Sequence, residues 1–219
     1  MRLFRLDNSL RTDGSVSREL ADTAQAAWLA EHPDGVVVRR DLGTDPLLAS
    51  SWVDAVTAGS TPPADRTDAQ REATGLAARL ADELLEADAV IVSLPLYNFS
   101  VPAPFKTWID LLFTDPRFAP GSVQPLAGRQ GVLAIARGGG YAPGTPREGW
   151  DHATPWVQRI LGDVFGLDLH RAEAELTMAP VVPAMESLRP LAEQSRRDAH
   201  LAADAHGRTL ARQAQTRAA

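Results

Sequence analysis

The 219-residue sequence contains no cysteine. Disulfide scaffolds, thiol nucleophiles and thiolate metal sites are thereby excluded, and the composition fits a reducing compartment. Long apolar runs are also missing. The longest, Ala89 to Phe99, is broken by Ser93 and Pro95 and falls well short of the roughly 20 residues that a membrane helix needs. The N-terminal Met1 to Asp7 has neither the apolar region nor the cleavage site of a signal peptide, so a cytoplasmic protein beginning directly in its fold, with no membrane association, is expected. Positive charge is in deficit: 22 Lys and Arg against 28 Asp and Glu give a net charge of −6. Nucleic acid, whose binding depends on phosphate neutralisation, is therefore an unlikely partner class.

What is present describes one globular domain over residues 1–219, with 44% hydrophobic and 23% charged residues. Leu3 to Leu6 predicts a first strand that exits into the turn-forming Asp7-Asn8-Ser9. From Ser17, Leu20, Ala24 and Trp28 share a helical face until His32-Pro33-Asp34-Gly35 ends it. Val36 to Val38 predicts a second strand, and 41–68, rich in Gly, Pro, Ser and Thr, is expected to be irregular or partly helical. Helical spacing returns over Ala69 to Leu85 through Leu76, Leu80 and Leu84. Ala89 to Leu94 is apolar on both faces, as the centre of a helix-covered parallel sheet should be. A helix then opens near Pro104 and stops at Asp115-Pro116. Gly131 to Ala136, Thr154 to Phe165, Leu169 to Leu176 and Pro190 to about Gln213 read as strand, helix, strand and helix. This alternation marks a doubly wound α/β fold. Six Arg against three acids from Arg189 onward are dispersed over the last helix and read as a solvated face.

In such a sheet, ligands bind beyond the carboxyl ends of the strands. Three loops of unusual composition leave those ends. Ser9 to Ser17 joins the first strand to the first helix; its hydroxyls and the helix N-terminus suit a phosphate, although Ser17 as a plain N-cap explains it too. The loop carries neither a P-loop nor a Gly-x-Gly-x-x-Gly fingerprint. Pro95-Leu96-Tyr97-Asn98-Phe99-Ser100-Val101-Pro102 encloses flat apolar surfaces and one amide between two prolines, suited either to a planar heterocycle or to a simple surface turn. Arg137-Gly138-Gly139-Gly140-Tyr141 can bring backbone N–H groups close to a ligand or form a flexible turn. His152 follows Asp151; sequence neighbours on a helix do not face each other, so capping the following helix or closing the glycine loop is expected rather than a proton relay. Trp108 and Trp156 read as core or subunit interface. His32, His170, His200 and His206 show no ligand spacing, and no metal is assigned.

On these motifs the chain resembles the flavodoxin-like FMN-dependent NADH azoreductases and NADH:quinone oxidoreductases. The likeness rests on the serine loop 9–17, on Tyr97-Asn98-Phe99 followed by Lys106-Thr107-Trp108-Ile109-Asp110, on Arg137-Gly138-Gly139, and on Asp151-His152. The resemblance implies a five-stranded parallel sheet of order 2-1-3-4-5 with helices on both faces, bound FMN, NADH or NADPH as hydride donor, and a homodimer. It places the FMN phosphate on Ser9, Ser15, Val16 and Ser17, the ring on Leu96, Tyr97, Asn98 and Phe99, and the pyrimidine edge on Arg137, Gly138 and Gly139. Asn98 would orient the ring or the substrate, with no side chain obliged to donate a proton. Quinones or azo compounds would be reduced in ping-pong fashion.

Three places in the chain depart from the family pattern. Ala136 replaces a serine, 118–125 replaces an aromatic hairpin that in relatives covers the partner's flavin, and Asp163 and Val164 stand about where a pocket-wall Phe is expected. These departures keep open two other readings: an electron-carrying flavin module without reductase activity, and a biosynthetic reductase for a dedicated metabolite.

Overall fold

The structure, a computed structural model, describes residues 1–218, with side chains through Ala214. Five parallel strands, β1 (Arg2–Asp7), β2 (Val36–Asp41), β3 (Ala89–Pro95), β4 (Gln130–Ala136) and β5 (Asp168–Ala174), form one sheet in the order β2-β1-β3-β4-β5. The expected strand order is therefore the observed one. β3 is buried along its whole length, as the uninterrupted apolar run requires of a central strand.

Because side chains alternate across a strand, neighbouring residues feed two different cores. Leu3, Ile91, Val132, Ala134 and Ala172 pack with Leu20, Ala24 and Trp28 of α1 (Val16–Glu31) and Ala203 and Leu210 of α6 (Arg189–Ala218). Phe4, Val90, Val92, Leu133 and Ile135 point to the other face. There they meet Leu80 and Leu84 of α3 (Asp68–Leu85), Phe105 and Trp108 of α4 (Ala103–Leu112), and Val157 of α5 (Ala153–Val157). Trp108 is thus core, stacked 6.4 Å from Phe4, and each such buried large side chain contributes about 1.5–3 kcal/mol. α3 begins at a capping box: Thr67 Oγ1 accepts from the Gln70 N–H at 3.2 Å, and Gln70 Oε1 accepts from the Thr67 N–H at 3.0 Å.

Several boundaries differ from the sequence reading. Within 41–68, Ala49–Ala58 forms a helix, α2, followed by a single turn at Pro63–Asp65. The helix expected over 154–165 is α-helical only through Val157 and continues as π-helical turns over Gln158–Val164, with the Phe165 N–H reaching back to the Ile160 carbonyl at 2.9 Å. β5 stops at Ala174 rather than Leu176, because Leu176 adopts a left-handed φ of 58° that turns the chain off the sheet. α6 runs from Arg189, longer at both ends than Pro190 to Gln213.

Candidate cofactor cleft

The loops after β1, β3 and β4 emerge on one edge of the sheet and enclose a cleft of about 180 Å³. Its lining includes Ser9, Ser15, Val16 and Ser17 from the first loop, Leu96 and Tyr97 from the second, and Gly138 from the third. A volume below the roughly 300–1,000 Å³ of full ligand pockets means that one end of a ligand would be enclosed and the rest left accessible. The remaining expected residues lie around this cleft rather than in its wall. Asn98 lines an adjoining groove with Leu10 and Pro102, Phe99 sits at the mouth against Trp150, and Arg137 and Gly139 flank Gly138.

The serine end gathers hydrogen-bond donors of the kind an anion would take. Ser15, not Ser17, occupies the N-cap of α1, and its side chain makes no capping hydrogen bond. The N-cap alternative for Ser17 is therefore replaced: Ser17 is the second helical residue, with its hydroxyl 3.5 Å from that of Ser15. Ser9, Ser15 and Ser17 are all buried, and the first-turn N–H groups of Val16 and Ser17 precede the first intrahelical bond, from the Glu19 N–H to the Ser15 carbonyl. Hydroxyls free of capping duty and a helix N-terminus together match phosphate. Tyr97 ties this loop to the next, its hydroxyl accepting from the Leu10 N–H at 3.3 Å and lying 3.4 Å from Ser9 Oγ.

A buried charge cluster holds the serine loop from behind. Arg18 donates to the Ser9 carbonyl at 2.7 Å and grips Asp41 through both terminal nitrogens at 2.6 and 2.7 Å. Fully buried Asp7 accepts from Arg5 at 3.0 Å and from Arg39 at 2.7 Å. Burial opposes the charge of Asp41, but its bonds from Arg18 and from the Gly43 and Thr44 N–H groups outweigh that cost and hold the carboxyl below its ordinary range. Gly43 is required here: a Cβ on it would stand 1.9 Å from the Ser9 carbonyl oxygen.

Tyr97 and Ser100 close the second loop by exchanging backbone bonds at 3.0 and 2.9 Å, which places Asn98 and Phe99 in a two-residue turn at φ 49° and 67°. That conformation is costly for a Phe, and such strain gathers at binding sites. The His152 N–H fixes the turn from outside by donating to the Phe99 carbonyl at 2.9 Å.

At the third loop the Arg137 side chain turns away from the cleft. It donates to Asp151 at 2.7 Å, Glu173 at 2.9 Å and the Thr154 hydroxyl at 2.8 Å, and is almost fully buried. Asp151, rather than His152, caps α5, accepting from the Ala153 and Thr154 N–H groups at 2.9 Å each. Burial opposes the Asp151 charge, yet these bonds and Arg137 hold its carboxyl low. The carbonyls of Arg137, Gly138 and Gly139 accept from Thr177, Met178 and Leu176, while the N–H groups of Gly138 and Gly139 have no partner among the described residues.

Arg11, Gly14 and Pro95 were legible only as members of their loops, and sequence reasoning missed two lining residues outright, Thr177 and Met178. The last two follow β5, a fourth chain exit at the same sheet edge, and that placement was the available signal. Of the three departures, Ala136 does line the cleft, whereas Asp163 and the 118–125 segment contact each other, Gln124 Nε2 donating to the Asp163 carbonyl at 2.9 Å. No cluster of metal-binding side chains occurs among the described residues.

Comparison with known proteins agrees with the geometry. The family model described as "Flavodoxin-like fold" matches residues 1–174, and the chain belongs to that family. The FMN-dependent NADH:quinone oxidoreductase of Streptomyces avermitilis is 40% identical over 210 residues, covering 95% of this chain and 96% of that protein. The enzyme of the same name from Frankia alni is 39% identical, covering 89% and 92%. Among solved structures, an azoreductase of Bacillus anthracis superposes with a TM-score of 0.76 at 24% identity, over 95% of this chain and 98% of that one, a likeness of fold.

Proposed function

We propose that residues 1–219 form a single FMN-binding domain that oxidises NADH, or NADPH, and reduces quinones or azo compounds. The observation that carries this reading is the cleft end around the α1 N-terminus, where the buried Ser9, Ser15 and Ser17 hydroxyls and the first-turn N–H groups of α1 come together and the Ser15 hydroxyl makes no capping bond. These donors fit the FMN phosphate through Ser9, Ser15, Val16 and Ser17, with Arg11 adding positive charge. Leu96, Tyr97, Asn98 and Phe99 would bound the flat ring, and the unpartnered Gly138 and Gly139 N–H groups would bond its pyrimidine edge, beside Arg137. FMN held by these residues would supply the hydride-accepting and two-electron-donating chemistry between NADH and the acceptor.

The chain's own part is to bind and orient. No carboxylate or imidazole side chain lines the cleft among the described residues, so acceptor protons would come from water. The partly open cleft lets donor and acceptor use one site in succession. A homodimer belongs to this reading: α2 presents Trp52, Val53 and Val56, with Leu48 before it, as exposed apolar surface. A cytoplasmic location belongs to it as well, supported by the absence of cysteine.

The deciding experiment is the visible spectrum of the purified protein, anaerobically, before and after NADH. Flavin bands that bleach with NADH and return with menadione or a simple azo dye are expected. A colourless protein that takes up no FMN on titration overturns the reading, and bound flavin that NADH leaves oxidised makes the chain an electron carrier instead.

A further inference from the structure

Arg147 lies in the loop between β4 and α5, its guanidinium 5.9 Å from the Phe99 ring centre and 6.0 Å from that of Tyr141. It reaches the glycine loop because residue 139 has no side chain; a Cβ there would stand 2.5 Å from an Arg147 terminal nitrogen. Phe99 is itself partly exposed and meets Trp150 edge-on at 5.3 Å. The mouth of the cleft is therefore a patch of three aromatic rings and one cation.

What distinguishes this cation is that no acid among the described residues pairs with it. Arg137 is saturated by Asp151 and Glu173, whereas Arg147 makes no ion pair among the described residues. The neighbouring acids are committed elsewhere: Glu148 accepts from the Gly144 N–H at 2.8 Å and Glu175 from the Tyr141 N–H at 3.0 Å. Arg11, at the serine end, already has the phosphate to meet. Two rings hold the Arg147 guanidinium by cation–π attraction without consuming its hydrogen-bond donors.

We propose that Arg147 is the specificity-determining residue of the acceptor site, favouring planar aromatic acceptors that carry a sulfonate or carboxylate. The flat part of such an acceptor stacks at the Phe99 and Trp150 end of the cleft, and its anion pairs with the guanidinium. This inference rests on the flavin-dependent reductase reading above.

The test compares 1,4-naphthoquinone with its 2-sulfonate in FMN-loaded wild type, Arg147→Ala and Arg147→Lys. In Arg147→Ala the KM for the sulfonate rises about fivefold relative to that for the neutral quinone, the upper range for an exposed ion pair. Arg147→Lys restores part of the loss, and added salt shrinks the difference. Titration of the oxidised, non-reacting holoprotein with the sulfonate, read from perturbation of the flavin bands, gives a Kd that rises by the same factor. Equal effects on both quinones, or an unchanged sulfonate Kd in a variant that holds flavin and turns over the neutral quinone, overturn this inference alone. A wild type that binds no FMN overturns the functional reading together with it.

Discussion

The serine loop and the glycine loop face each other across the cleft, and each is braced by a buried arginine, but in opposite senses. Arg18 stands outside its loop, in α1, and pulls on the Ser9 carbonyl while fixed by Asp41 of β2. Arg137 stands in its own loop and is pulled away from the cleft by Asp151, Thr154 and Glu173. The first arrangement leaves hydroxyls and helix N–H groups for a ligand; the second leaves only backbone N–H groups, at Gly138 and Gly139. An arginine in a ligand-binding motif can therefore act by holding the main chain rather than by touching the ligand.

Breaking the glycine-loop brace has the largest expected effect. Arg137→Ala strands Asp151 and the partly buried Glu173 without their counter-charge, and loss of one member of a buried ion pair costs about 3–5 kcal/mol. For a chain of this size that lowers Tm by roughly 6–20 °C, measurable by thermal denaturation. Arg137→Lys is expected to rescue little, since an ammonium cannot reach three partners with the fork of a guanidinium. A variant that melts with the wild type would show that the cluster braces nothing.

On the serine side, Gly43→Ala tests the same idea from the back of the loop. The added methyl group meets a backbone oxygen, which cannot move aside as a side-chain tip can, so residues 8–10 must shift. FMN affinity is expected to fall about 10- to 100-fold, equivalent to about 1.4–2.7 kcal/mol, in fluorescence titration. Unaltered affinity would mean that the loop tolerates displacement and that its geometry is not set by Arg18 and Gly43.

These two braces also show where sequence reading succeeds and stops. β3 and β4 were legible because uninterrupted apolar runs occur there, and α3 because Leu76, Leu80 and Leu84 keep helical spacing. The helix at Ala49–Ala58 was legible only as partial helicity somewhere in 41–68: its Trp52 and Val56 are exposed and only the small Ala55 and Ala58 are buried, so no bulky inward stripe marks its bounds. The π-helical turns at Gln158–Val164 have no compositional mark at all. In the cleft, Ser9, Ser15, Ser17 and Tyr97 could be found from loop composition. Gly43 could not, since its role depends on a carbonyl 34 positions earlier in the chain, and Thr177 and Met178 carry no distinctive chemistry. Nor does a motif reveal whether Arg137 offers its side chain or its backbone.

Ser15→Ala separates the ligand-binding and capping roles of the α1 N-terminus. An N-cap serine that bonds its helix costs about 1 kcal/mol when removed, but the Ser15 hydroxyl makes no such bond. Stability of the FMN-free protein should therefore change by less than about 0.5 kcal/mol, while FMN binding weakens about tenfold through loss of a charge-assisted hydrogen bond. The reverse pattern, a destabilised helix with intact FMN affinity, would return the serine to an ordinary structural role.

The gentlest way to loosen both braces together is acid. Asp41 and Asp151 each have folded pKa values below the ordinary 3.8, so the folded state binds their protons less readily than the unfolded chain does. Their contribution to stability is complete above the unfolded value and is lost as pH falls through 3.8 towards the folded values. Urea midpoints followed downward from about pH 6 should hold steady where these two groups alone are concerned and then decline below about pH 4. Asp151→Asn begins less stable, because the amide meets Arg137 without a charge, and its decline below that point is shallower. A variant curve parallel to that of the wild type would place the acid sensitivity in other carboxylates.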